Sequence, residues 1–185
     1  MKPFAVLHAT REGQTLHIAE HVAAALRARG HAAEVIDVRS LPGLDLERFA
    51  SAAIVASVHV GRHDGEVVDF VNRHRAALEH MPSYLLSISL SEAVAEDASS
   101  SAEVRRKAAD DVRSTITSFL EATGWHPARV QAAAGALRVG APADTPRDYE
   151  YTDWPALERF VDEIVAVTDR TQLDAPSSRE RAVTR

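Results

Sequence analysis

The sequence predicts a single α/β domain whose five-stranded parallel sheet carries helices on both faces. Three observations lead there. Short apolar runs alternate with amphipathic helical periods along the chain. The run at 52–57 is apolar at nearly every position, as a strand buried on both faces must be. No internal repeat or second core interrupts the alternation, which therefore describes one βαβ series.

Taken in order, residues 4–8 form the first apolar run. Ile18, Val22 and Leu26 then recur at helical spacing over 16–29, and Gly30 supplies the stop. Residues 33–38 are the second strand, 44–49 a short helix after the Leu41-Pro42-Gly43 turn, and 52–57 the third strand. A loop is expected at 61–65, then a helix over 66–78 with Val67, Phe70, Val71 and Leu78 on one face. The fourth strand is 84–89, and 90–101, polar and small, reads as a loop. A long helix over 102–123 ends at Gly124, the fifth strand is 129–134, and 135–152 reads as a loop holding Pro142 and Pro146. Asp153 can cap a last helix whose buried stripe includes Leu157, Phe160, Val161 and Ile164.

Composition narrows the function. Apolar residues make up 45% and charged residues 26% of 185, a globular balance in a chain long enough to bury a core. The net charge is −6 with Lys and Arg scattered, unlike the basic face of a nucleic-acid binder. The lack of cysteine removes disulfides, thiol catalysis, thiolate zinc sites and iron–sulfur clusters. The N-terminal apolar run is too short for a signal peptide and no stretch approaches a membrane span. The expectation is a cytoplasmic protein without stable membrane insertion.

In sheets of this kind ligands bind at the carboxyl ends of the strands. The first such loop reads Thr10-Arg11-Glu12-Gly13-Gln14-Thr15. Backbone N–H groups converge there at a helix N-terminus, where the dipole favours an anion. Thr10 and Thr15 add hydroxyl donors, and Gly13 permits a tight path. The loop lacks the Gly-Lys-Ser/Thr of a Walker loop and the three glycines of a dinucleotide fingerprint. A hydroxyl-rich loop with one glycine suits a terminal monophosphate such as that of FMN; the plainer alternative is a capped turn between strand and helix. The loops Ser57-Val58-His59-Val60-Gly61 and Ser89-Leu90-Ser91 would lie beside it. Their amides could bond the polar edge of a flavin, and Val58, Val60 and Leu90 could touch its faces.

Ala9-Thr10-Arg11-Glu12-Gly13-Gln14-Thr15 resembles the FMN phosphate loop of the flavodoxin-like bacterial protoporphyrinogen oxidases, the menaquinone-dependent protoporphyrinogen IX dehydrogenases. Ala56-Ser57-Val58 with Gly61, Ala134-Gly135-Ala136-Leu137-Arg138 and Tyr151-Thr152-Asp153-Trp154 resemble the same family, in the same order. The resemblance implies a flavodoxin-like FMN-binding domain over 1–169, with 170–185 as a polar tail. It also implies oxidation of protoporphyrinogen IX, in haem biosynthesis, with electrons passed to a quinone. Two stretches depart from the pattern. Residues 139–150 are short and rich in Pro, Ala and Asp where the family carries a long basic, aromatic and apolar insertion. The loop after the third strand offers His59, Val60 and His63 in place of aromatic residues. The same residues also fit a flavodoxin-type electron carrier docking to a basic redox partner. A binding module that keeps the fold without FMN is a third reading, and a homo-oligomer that completes a pocket is compatible with the first.

Other side chains have plainer readings. His17 and His21, and His59 and His63, have the spacing of a metal pair but no evident third ligand, so no metal is assigned. His59 would sit near the flavin, where a donor can tune its potential. Trp125 and Trp154 read as packing residues, Tyr149 and Tyr151 as anchors of their loop, and Glu12 as a first-turn carboxylate. Arg105-Arg106-Lys107 with Asp110 and Asp111 reads as a solvated helix face. No side chain is assigned as a catalytic base, because a flavin carries its own redox chemistry.

Overall fold

The first apolar run becomes strand β1 (Phe4–Ala9), buried at all six positions, as befits an inner strand covered on both faces. The computed structural model describes residues 2–9, 13–41, 43–139 and 147–174. After β1 come α1 (Gln14–Ala28), β2 (Ala33–Asp37), a 3-10 turn (Leu46–Arg48) and β3 (Ser51–His59). Next follow β4 (Arg62–His63), α2 (Gly65–Glu79), β5 (Ser83–Ser89), α3 (Leu90–Glu96) and α4 (Ala102–Thr123). The chain closes with β6 (Arg129–Ala134), β7 (Ala136–Val139), β8 (Arg147–Glu150) and α5 (Trp154–Asp174).

The main sheet has the order β2-β1-β3-β5-β6, and these five strands are parallel. The chain leaves β1 toward one edge and returns on the other side through β3, so the strand order reverses there. One face packs Phe4 and Val6 against Ile18, Val22 and Leu26 of α1 and Leu157, Phe160 and Ile164 of α5. The Tyr84 hydroxyl ties that layer together, donating to the Ile164 carbonyl at 3.1 Å and lying 2.7 Å from Thr168 Oγ1. The other face packs Leu7, Ile54 and Leu85 against Val67, Phe70 and Val71 of α2 and Phe119 of α4. Trp125 fills this layer and donates from Nε1 to Ser83 Oγ at 2.9 Å.

Four expectations need correction. The loop expected at 61–65 contains β4, which turns back antiparallel on β3 by pairing Val58 with His63 and His59 with Arg62. The loop expected at 90–101 begins with α3, which buries no residue and so shows no apolar stripe in its sequence. The loop expected at 135–152 contains the antiparallel pair β7–β8. The last helix continues to Asp174, past the boundary drawn at 169.

Candidate functional site

The reversal of strand order opens a crevice at the carboxyl ends of β1 and β3. Of the predicted phosphate loop, Thr10, Arg11 and Glu12 lie outside the described residues. Gly13 is the N-cap of α1 in the left-handed region, with φ 87°, a conformation glycine adopts without steric cost. It has no side-chain oxygen to offer the first turn, and no acidic residue stands in that turn. The positive end of the helix dipole therefore faces the loop without a carboxylate inside the helix to offset it. Thr15 is buried, and buried Gln14 donates from Nε2 to Thr152 Oγ1 at 3.3 Å. Thr152 in turn donates to the Ala134 carbonyl at 3.1 Å. The Tyr-Thr-Asp-Trp stretch is thus anchored between the first turn of α1 and the end of β6.

The second predicted loop is a hairpin tip. Val60 and Gly61 both have positive φ, 49° and 71°, the primed geometry of a two-residue hairpin. Glycine suits that geometry; valine, branched at Cβ, is strained by it. Val60 is nevertheless fully exposed, at 102%. Ser57 donates to Asp64 Oδ2 at 2.9 Å, and His59 Nε2 lies 3.9 Å from the same oxygen. Thr115 of α4 donates to the Gly61 carbonyl at 3.4 Å, docking the tip on that helix. In the third loop, Ser89 ends β5 and caps α3, its Oγ accepting from the Glu92 N–H at 3.1 Å. Leu90 and Ser91 open α3.

Both latter loops meet at one cavity of about 360 Å³, lined by Val58, Gly61, Ser89 and Ser91. Sequence reasoning missed its remaining walls: Ser87 on β5 and, from α4, Asp111, Val112, Ser114 and Thr115. Period-two spacing of Ser87 and Ser89 at the end of β5 was a usable signal, since alternate strand residues share a face. Asp111, read as part of a solvated face, stands at the rim. His63 is buried behind the cavity, with Nε2 2.9 Å from Ser87 Oγ and its ring 4.6 Å from that of Phe119. Burial pushes its pKa down to about 4, with Asp64 pulling the other way. The imidazole is therefore neutral at pH 7.

A second hollow of about 500 Å³ adjoins the cavity, lined by Leu90, Ala93, Val94, Glu96, Asp97 and Tyr151. Burial and the nearby Glu96 raise the pKa of Glu92, and burial and Asp153 raise that of Glu96. His17 and His21 both pack on the Trp154 ring, at 5.2 and 4.7 Å. Glu158 lies 2.9 Å from His21 Nε2. Among the described residues, no helix is long and apolar enough to cross a membrane.

The family model described as a flavodoxin domain matches residues 5–140. The protoporphyrinogen IX dehydrogenase [quinone] of Escherichia coli strain K12 is 29% identical, across 91% of this chain and 97% of that protein. A protein of the same name from Leishmania major is 24% identical, across 88% of this chain and 74% of that one. Among solved structures, a short-chain flavodoxin associated with a bacterial microcompartment superposes with a TM-score of 0.58 at 15% identity. That match covers 91% of this chain and 99% of the flavodoxin.

Proposed function

Because this chain belongs to the flavodoxin-domain family, we propose that it is an FMN-dependent oxidoreductase that oxidises protoporphyrinogen IX and passes the electrons to a quinone. The observation that carries the reading is the cavity shared by the hairpin tip and the start of α3, at the sheet edge where α1 also begins. Its chemistry fits the polar edge of a flavin: the hydroxyls of Ser87, Ser89, Ser91, Ser114 and Thr115 line it, with the apolar Val58 and Val112 beside them and the carboxylate of Asp111 at the rim. In this reading 10–15 hold the phosphate at the dipole of α1, with Thr10 and Thr15 as hydroxyl donors. Ser57, Val58, His59, Val60 and Gly61 flank one side of the ring, and Ser89, Leu90 and Ser91 the other. The domain then runs through α5 to Asp174.

Bound flavin supplies the two-electron chemistry. The chain's own residues bind it, orient its polar edge and limit the access of water. The test begins with the absorbance spectrum of the purified protein and identification of the released flavin. An anaerobic assay with protoporphyrinogen IX and a menaquinone analogue follows, read by porphyrin fluorescence. FMN release with quinone-dependent turnover is the expected result. Bound FMN without turnover would mark an electron carrier instead.

A further inference from the structure

His63 stands one shell behind the cavity, and the structure gives it a specific partner. It is 7% exposed, lies opposite Val58 in the hairpin and rests on Phe119. Its Nε2 is 2.9 Å from Ser87 Oγ, while Nδ1 is buried with no hydrogen-bond partner among the described residues. Ser87 is itself 2% exposed, lines the cavity, and among the described residues has His63 as the one partner of its hydroxyl.

A neutral imidazole carries one N–H. On Nδ1 that hydrogen would be a buried donor with nothing to receive it, a costly arrangement and a rare one. On Nε2 it is donated to Ser87 Oγ. A serine hydroxyl that accepts such a bond keeps its own hydrogen for another acceptor. We propose that His63 is a positioning residue: it donates from Nε2 to Ser87 and leaves the Ser87 hydroxyl as a fixed donor into the cavity, aimed at an acceptor on the polar edge of the bound flavin. The inference rests on the cofactor reading above and extends it to two residues, His63 and Ser87, that are not among those placed there at the phosphate or flanking the ring. Burial that keeps His63 neutral keeps it in the state this role needs.

The experiment is a double-mutant cycle on FMN affinity, measured by fluorescence quenching of the apoprotein. Ser87→Ala and His63→Leu should each weaken FMN by about tenfold, the scale of one lost hydrogen bond, and the double variant should be no weaker than Ser87→Ala alone. His63→Gln, whose amide can donate to Ser87, should restore binding to near wild type. The flavin carbonyl stretch in the infrared should rise in both single variants and return in His63→Gln. A purely structural role for His63 would not move that band. Losses that multiply in the double variant, or a carbonyl band unmoved by Ser87→Ala, would overturn the proposal while leaving FMN binding intact. A wild-type protein that takes up no FMN would overturn the cofactor reading and this inference with it.

Discussion

Gln14 and Thr152, 138 residues apart in the chain, are joined side chain to side chain at 3.3 Å. Thr152 Oγ1 accepts from Gln14 and donates to the Ala134 carbonyl, so one hydroxyl links α1, β6 and the lead into α5. Thr152→Val keeps the shape and removes both bonds inside a buried site. The expected cost is about 2 kcal/mol of stability, with a several-fold loss of FMN affinity if 10–15, which include Gln14, hold the phosphate as proposed. Thr152→Ser should restore both. Urea unfolding and FMN titration of the three proteins check this.

The phosphate placement has its own test. Thr10→Ala and Thr15→Ala together should weaken FMN by about 2–3 kcal/mol, since two donors to a charged group are lost. Fluorescence titration gives the affinity. An unchanged Kd would move the phosphate elsewhere.

Val60 is strained where it need not be for folding. A valine at φ 49° at an exposed hairpin tip costs about 1–2 kcal/mol relative to a residue at ease there. Asparagine followed by glycine is the favoured pair for such a turn, and Gly61 already supplies the second member. Val60→Asn should therefore raise apoprotein stability by about 1 kcal/mol. It should also lower FMN affinity several-fold, if the exposed isopropyl group covers the flavin. The two signs are opposite, so urea midpoints and FMN titration on one preparation test both.

What the sequence made legible, and what it hid, follows from burial. α4 and β6 occupy the predicted spans 102–123 and 129–134, because each presents a clear period to the core or ends at a turn residue such as Gly124. α3 was invisible because nothing in it is buried; its start is set by the Ser89 cap, a signal without an apolar stripe to accompany it. β4 is two residues long, too short for any period, and shows itself only through the Val60-Gly61 turn. For the candidate site, the loops could be named from strand ends alone. The α4 wall could not, since Asp111 and Thr115 look like surface residues until the hairpin is docked beside them.

Stability should fall on acidification, and His63 should account for much of the slope. Its pKa is 6.5 when unfolded and about 4 when folded, lowered by burial. Between those values the unfolded chain binds more protons than the folded one, so stability decreases as pH drops through that window. At 1.36 kcal/mol per pH unit, the full effect approaches about 3 kcal/mol. His8, also lowered by burial, adds a contribution of the same sign. Urea midpoints measured from pH 7.5 down to pH 4.5 should show a shallower fall in His63→Gln, which retains the His8 contribution. Parallel slopes in the two proteins would contradict the assignment.

The last expectation concerns how well a dicarboxylate substrate is held. Leu90 lies between Ser89 and Ser91, which line the cavity, and is itself part of the adjoining hollow with Ala93, Val94 and Tyr151. A tetrapyrrole brought to the flavin would rest on this apolar surface. Its two propionates need cations, and the hollow's charged residues are Glu96 and Asp97. The sequence from 139 to 150 supplies one cation, Arg147, where the resembled family carries a long basic insertion. Repulsion between these acids and the propionates should give a high KM for protoporphyrinogen IX. Because such repulsion is screened by salt, KM should fall as ionic strength rises from 20 to 200 mM, the reverse of a site built on propionate–cation pairs (here the Debye length shrinks from about 20 Å to below 10 Å). Glu96→Gln should lower KM several-fold with little change in kcat and no change in FMN affinity, since Glu96 does not line the cavity proposed to hold the flavin. Steady-state kinetics of both proteins across that salt range decide the matter: a KM that rises with salt would mean that basic residues, not these acids, face the substrate.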